Sequence, residues 1–204
     1  MIAIITGDVV TSRSLQPEQW LTHLKKGLAL FGEAPVDWDI YRGDGFQLRT
    51  TATDALLHAV MLKAWMKHYK QIDVRLSIGV GEQTYTTTHI TQGNGSAFEF
   101  SGEGFDRLDK KNLSIPTADK LLNDTLSVMI DLSLIVMDKW TEKSAEAIFI
   151  KLKNPTLNQT QIAKILGKGQ GTVSEALKRG GFDEIYQLIQ YYHKTIKVYV
   201  ATHS

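Results

Sequence analysis

Apolar and polar positions along the chain fall into two periods. Ile2–Thr6 is a short unbroken apolar run closed by Gly7-Asp8, the pattern of a central strand. Pro17 suits a first helical turn, and Trp20, Leu21, Leu24, Leu28 and Phe31 then give that helix an apolar face. Val36, Trp38 and Ile40 alternate, predicting a half-buried strand; the Arg42-Gly43-Asp44-Gly45 turn leads into another with Phe46 and Leu48 on one face. Leu56 through Met66 predicts a second helix. Val74, Leu76, Ile78 and Val80 then alternate with Arg75, Ser77, Gly79 and Gly81, and small residues on that second face permit close approach by a helix or a ligand. The order within about the first 82 residues is β-α-β-β-α-β, the ferredoxin-like split βαβ. In it the third strand runs antiparallel beside the first. Asp8, placed at the end of strand one, and Asp44, in the hairpin 36 residues later, are therefore expected on one rim of the sheet.

The remainder reads as mostly helical. Residues 83–95 are Thr- and Gly-rich and predict a loop or extra hairpin. Ser96 and Glu99 have capping-box spacing and should open a helix running to about Lys110. A short strand at Leu113–Ile115 and a helix over Thr117–Lys139 follow. From Thr141, Ala145, Ile148, Phe149 and Leu152 repeat at helical spacing until Pro155. Two short helices, Gln159–Leu166 and Gly171–Arg179, flank Gly167, and a last helix, Asp183–Val200, carries the stripe Ile185, Leu188, Ile189, Tyr192, Ile196 and Tyr199, suited to core or dimer surface. The fold class is α+β: a ferredoxin-like palm over residues 1–140, then an all-α helix-turn-helix domain over residues 141–204.

Charge sharpens this division. Residues 141–204 carry nine Lys/Arg against five Asp/Glu, while residues 1–140 carry fourteen against seventeen, so a mildly basic back follows an acidic front. There is no cysteine, which excludes disulfides, thiol nucleophiles and cysteine metal sites. The apolar N-terminus has no basic segment and meets Asp8 at once, so it is expected to be a buried strand and not a signal peptide. Leu126–Met137, the most apolar run, is too short to span a bilayer and contains Asp131. A cytoplasmic location with no membrane partner is expected. The six histidines show no metal-ligand spacing and most are expected at the surface, and the four tryptophans in packing.

Two constellations carry chemistry. Mg²⁺ takes hard oxygen ligands, commonly one or two carboxylates plus substrate phosphates. Asp8 and Asp44 on one rim are therefore candidate ligands for Mg²⁺ or Mn²⁺, and candidate catalytic residues if the site turns a triphosphate over. Ser12 and Arg13, just before a helix, and Gly43 in the hairpin are candidate nucleotide contacts. The competing reading is structural: Asp8 caps a strand and Asp44 makes its turn. The second constellation is Asn158–Gly180. Ala163 is small where two helices would cross, Gly167 supplies the turn, and Val173, Ala176 and Leu177 re-enter the core. Thr172 and Glu175 have capping-box spacing. The exposed face, Gln170, Thr172, Ser174, Lys178 and Arg179, suits DNA, with Gln able to read adenine and the cations favouring phosphate or guanine. A plain helical corner is the alternative. The modest charge makes one copy a weak binder, so a homodimer reading two half-sites is expected.

The segments "IITGDVVTSRSL", "YRGDGFQL", "RLSIGVG" and "GSAFEFSGEGFDRL", in this order, resemble the SatD family. The hairpin and the last two segments are also similar to the palm domain of diguanylate cyclases and class III nucleotidyl cyclases. In those enzymes one metal carboxylate ends the first strand and another sits in the strand two–three hairpin, the positions matched by Asp8 and Asp44. The resemblance implies a DNA-binding regulator with a nucleotide-sensing palm or, alternatively, a metal-dependent nucleotidyl cyclase or nucleotidyltransferase with an accessory helix-turn-helix. Diguanylate cyclases carry an acid directly after the hairpin Asp, where this chain has Gly45, so cyclic-di-GMP synthesis is not expected.

Overall fold

The computed structural model describes residues 1–10, 16–41, 43–70, 72–85 and 87–203. Strands β1 (Ile2–Val10), β2 (Trp38–Tyr41), β3 (Gly45–Thr51), β4 (Asp73–Gly81) and β5 (Leu113–Ser114) form a sheet in the order β2-β3-β1-β4-β5. β1 is antiparallel to both β3 and β4, with Gly7 opposite Phe46 and Asp8 opposite Arg75. This is the ferredoxin-like arrangement, extended by β5 parallel to β4. Ala3, Ile5 and Val9 of β1 join the main core with α1 (Pro17–Leu28) and α2 (Ala55–Lys67). Alternation sends Ile4 to the opposite face, where it packs with Ile90 and Ala97.

β1 is longer than its apolar run suggested. It continues through Gly7-Asp8 to Val10 instead of stopping at Asp8. Neither residue acts as a breaker, because each has a fitted neighbour. Arg75 pairs with the Asp8 side chain, and a Cβ on Gly7 would come within 2.7 Å of the Phe46 ring, the Leu76 side chain and the Arg75 carbonyl.

The small face of β4 receives a helix. α3 (Ser96–Asp106) lies so close that a Cβ on Gly79 would meet the Ala97 carbonyl at 2.2 Å and the Ser101 amide at 2.3 Å. The expected capping box at Ser96 and Glu99 does not form. Gly95 is the N-cap, and the Ser96 hydroxyl instead accepts from the Glu82 amide at 2.9 Å. The helix ends at Asp106, short of Lys110. Between β4 and α3, an isolated Tyr85–Asn94 bridge and one 3-10 turn at Ile90–Gln92 order the loop.

After β5 the chain is helical: α4 (Lys120–Met137), α5 (Glu142–Lys153), α6 (Gln159–Leu166), α7 (Gln170–Arg179) and α8 (Phe182–His203). The α8 stripe from Ile185 to Tyr199 is core. α5 and α8 dock against the first part. Phe149 meets Trp65 at 5.0 Å between ring centroids, and the Tyr192 hydroxyl donates to the Ala52 carbonyl at 2.8 Å. Trp20, Trp38 and Trp140 are buried, as packing residues should be. The histidines divide: His89, His193 and His203 are exposed, but His23, His58 and His68 are half-buried among helices, because each is drawn into aromatic contact with Trp65, Phe31 or Phe149. Among the described residues no helix is long and apolar enough to cross a membrane.

Candidate functional site

The antiparallel register of β1 and β4 sets Asp8 directly across from Arg75. The guanidinium grips the carboxylate with two atoms: Nε donates to Oδ1 at 2.9 Å and Nη2 donates to Oδ2. Bidentate pairing of this kind combines charge with a fixed planar geometry. The Arg75 guanidinium also lies 5.3 Å from the Phe105 ring centroid, a cation–π contact from α3. The hydrogen bond to Asp8 pushes the Arg75 pKa up, burial opposes it, and the charges of Asp8 and Asp44 raise it further. Asp44 is thus near enough to act on Arg75. The rim gathers two carboxylates and one guanidinium, not an isolated pair of acids.

Gly43 has φ +91° and no neighbour within 4 Å of a built Cβ, so glycine is favoured there by backbone angle and not by crowding. It borders a cleft of about 420 Å³ with Leu21 and Lys25 of α1 and Trp38, Asp39 and Ile40 of β2. Ser12 and Arg13 lie outside the described residues. Arg75 and Lys25 escaped the sequence-based reading as site residues. The signal for Arg75 was present: once β1 and β4 are paired, the opposite charges of Asp8 and Arg75 are in register.

The fit of a divalent cation is tested by the donor set. Both Asp8 oxygens are engaged by Arg75, and among the described residues no group of three or more acidic or histidine side chains gathers. A cation at Asp8 therefore competes with a guanidinium.

The α6–α7 corner is built from its caps inward. Asn158 and Gln161 form a reciprocal capping box at the start of α6: the Asn158 side chain accepts from the Gln161 amide at 3.0 Å, and the Gln161 side chain accepts from the Asn158 amide at 2.9 Å. The capping box therefore belongs to α6. The expected one at Thr172 and Glu175 does not form, because Gly169 is the N-cap of α7, and Glu175 pairs with Arg179 at 2.9 Å instead. Gly167 closes α6 at φ 61°, ψ 34°, a left-handed cap, and the Lys168 amide returns to the Ala163 carbonyl at 2.9 Å. Ile162, Ala163, Val173 and Leu177 are buried, and the Gln170 side chain donates to Gln159 at 2.8 Å, tying the two helix starts together. Gln170, Thr172, Lys178 and Arg179 are exposed, and Ser174 is half-buried. Ser174 and Lys178 border a cleft of about 570 Å³ that also contains Lys151, Asn158 and Asp183.

The whole is a two-part architecture, a β-α-β-β-α-β sheet followed by an all-α region, consistent with a generic palm plus helix-turn-helix-like arrangement. No family model matches the sequence, and no curated protein or solved structure matches it either.

Proposed function

We propose that the protein is a DNA-binding transcriptional regulator of the SatD kind, whose palm-like part senses a nucleotide or related phosphate. The observation that carries this reading is the α6–α7 corner: a left-handed glycine turn, a sealed apolar interior, and a second helix that leaves Gln170, Thr172, Lys178 and Arg179 in solvent. A helix held this way suits the major groove. Gln170 and Thr172, in the first turn of α7, are the base readers; Lys178 and Arg179 meet phosphate. Glu175 tempers Arg179 through their ion pair, so Lys178 carries more of the salt dependence.

The test is fluorescence anisotropy with duplex selected from a random library, over a salt series. Lys178→Ala should weaken binding across all sequences and lower the salt slope by about one. Gln170→Ala should cost about 1–3 kcal/mol at a single position of the site and relax preference there. Unchanged affinity and slope in both variants would remove DNA binding from the reading.

On the palm rim, Asp8 and Asp44 are the residues that would hold Mg²⁺ or Mn²⁺, which would offset phosphate charge when bound. Arg75, whose fork Asp8 holds, would be released to meet phosphate when a cation takes its place on that carboxylate. A nucleotide that favours one conformation shifts DNA affinity only by its differential binding to the two. Calorimetric titration with each ribonucleoside triphosphate, with and without Mg²⁺, should give heat that Asp8→Asn and Arg75→Ala both diminish. Absence of heat with all four would leave DNA binding standing alone.

A further inference from the structure

α4 is apolar on two sides. Leu126, Ile130, Leu134 and Met137 face the core and are buried. On the outer side Leu121 is 77% exposed, Val128 61%, Leu132 63% and Ile135 59%. These four are among ten exposed large hydrophobics in the described chain, so almost half of that set sits on one helix. Their spacing is not random. With Thr125 filling one place, positions 121, 125, 128, 132 and 135 step by four, three, four and three, the seam of a two-helix coil. A helix apolar all round is one that is covered on both faces. Beside the seam, Met129, Val136, Ile185 and Leu188 line a groove of about 530 Å³ between α4 and α8, a socket for side chains from the covering helix.

We propose that α4 is a dimerisation helix whose partner is α4 of a second copy, packed antiparallel about a two-fold axis near Leu132. Charge selects this occupant and this direction. Asp131 and Asp138 are already paired within the chain, at 2.7 Å to Lys111 and 2.8 Å to Lys63. Lys120, also exposed, opens the helix one place before the seam; along the seam and just past its end that leaves exposed Asp124 and exposed Lys139. Asp124 stands eight residues before Leu132 and Lys139 seven after it, so reversing the helix about Leu132 sets each beside its opposite on the partner. A parallel pairing would set Asp124 against Asp124. The seam is thus complementary to its own reverse, as an isologous interface requires. Val128 meets Ile135 of the partner subunit in the same register. The groove beside α4 is also bordered by Lys178 and Arg179, so the two α7 helices flank the axis. The dimer rests on α4 and the groove beside it and stands or falls independently of DNA binding.

The chain has no cysteine, so Leu132→Cys places a single thiol per copy at the axis. Two such thiols fall within disulfide reach only if the Cα atoms lie about 4.4–6.8 Å apart. Mild oxidation should convert the Leu132→Cys variant to a covalent dimer, whereas the Ile165→Cys variant, its thiol comparably exposed on α6, should form no covalent dimer. By sedimentation equilibrium without DNA or nucleotide, the wild type should be a dimer. Val128→Glu and Leu132→Glu should each weaken association by roughly 30-fold or more while leaving far-UV circular dichroism unchanged. A monomeric wild type, charged variants that remain dimeric, or equal cross-linking of the Leu132→Cys and Ile165→Cys variants would each overturn the proposal.

Discussion

The imidazole of His23 lies flat on Trp65, with 4.6 Å between ring centroids and 4° between planes. Each side chain also bonds the other's backbone: His23 Nε2 lies 2.8 Å from the Trp65 carbonyl, and Trp65 Nε1 donates to the His23 carbonyl at 2.9 Å. Burial lowers the pKa of His23, the bond to Trp65 works against it, and His68 and Lys26 lower it further. His58 and His68 are lowered chiefly by burial as well, opposed by Asp54 and by Glu146 respectively. All three return to about 6.5 on unfolding. Below that pH the unfolded chain therefore binds protons that the folded chain refuses, until the folded pKa values are reached. Stability should hold above about pH 7 and fall as pH drops through about 6.5. Urea midpoints between about pH 8 and 5 test this; His58→Gln should flatten part of the slope, and a level wild-type profile would contradict it. Lys63 offers a second test. Its ammonium is buried between Asp73 and Asp138, at 2.8 Å to each, and Asp73 also holds Lys67 at 3.0 Å. Asp73→Ala takes a carboxylate from both buried cations, leaving Lys63 with Asp138 and Lys67 with only the Asp138 carbonyl at 2.8 Å, and should cost about 3–5 kcal/mol in chemical denaturation. Asp138→Ala should cost less, since Lys63 keeps Asp73.

At the scale of elements, two contacts decide where helices sit. α3 rests on glycine, with Gly79 and Gly81 both too close to its backbone for any Cβ. Gly79→Ala should lift α3 from the sheet and cost about 1–3 kcal/mol or more, seen as a lower thermal midpoint. It should also disturb the Thr6–Ser101 hydroxyl pair, 2.9 Å apart across that interface. α6 depends on its cap. Asn158→Ala should cost about 1 kcal/mol, whereas Thr172→Ala, which caps nothing, should stay within about 0.5 kcal/mol. A large loss at Thr172 and none at Asn158 would mean the corner is capped differently.

For the whole molecule, most buried apolar side chains form one cluster, running from the sheet through α2 into α5 and α8, with Ile4, Ile90 and Ala97 apart on the other face. Phe149 is 4% exposed and touches both Trp65 and His68. Phe149→Ala should therefore cost about 3–5 kcal/mol, and the loss should appear in both parts together. Tryptophan fluorescence and far-UV circular dichroism should trace one coincident unfolding transition. Separate transitions would mean that the sheet and the helices fold as independent units.

Periodicity alone determined most of the elements and their order, because a buried face needs apolar residues at every second or every third and fourth place. Val74 to Val80 and Ile185 to Tyr199 show this; the turn at Gly167 was legible from glycine itself, its left-handed angles only from the fold. The apolar seam of α4 is also written in its spacing, yet it could be told from core only once the opposite face was seen to be buried. Other features needed the fold. That Gly7-Asp8 continues a strand depends on Arg75 and Phe46, residues supplied from far along the chain. The failed capping boxes at Ser96 and Thr172 fail because glycine took the N-cap and other partners claimed the side chains. The rim that looked like two free carboxylates became a carboxylate held by a guanidinium, since strand register pairs residues 67 apart that no local pattern connects.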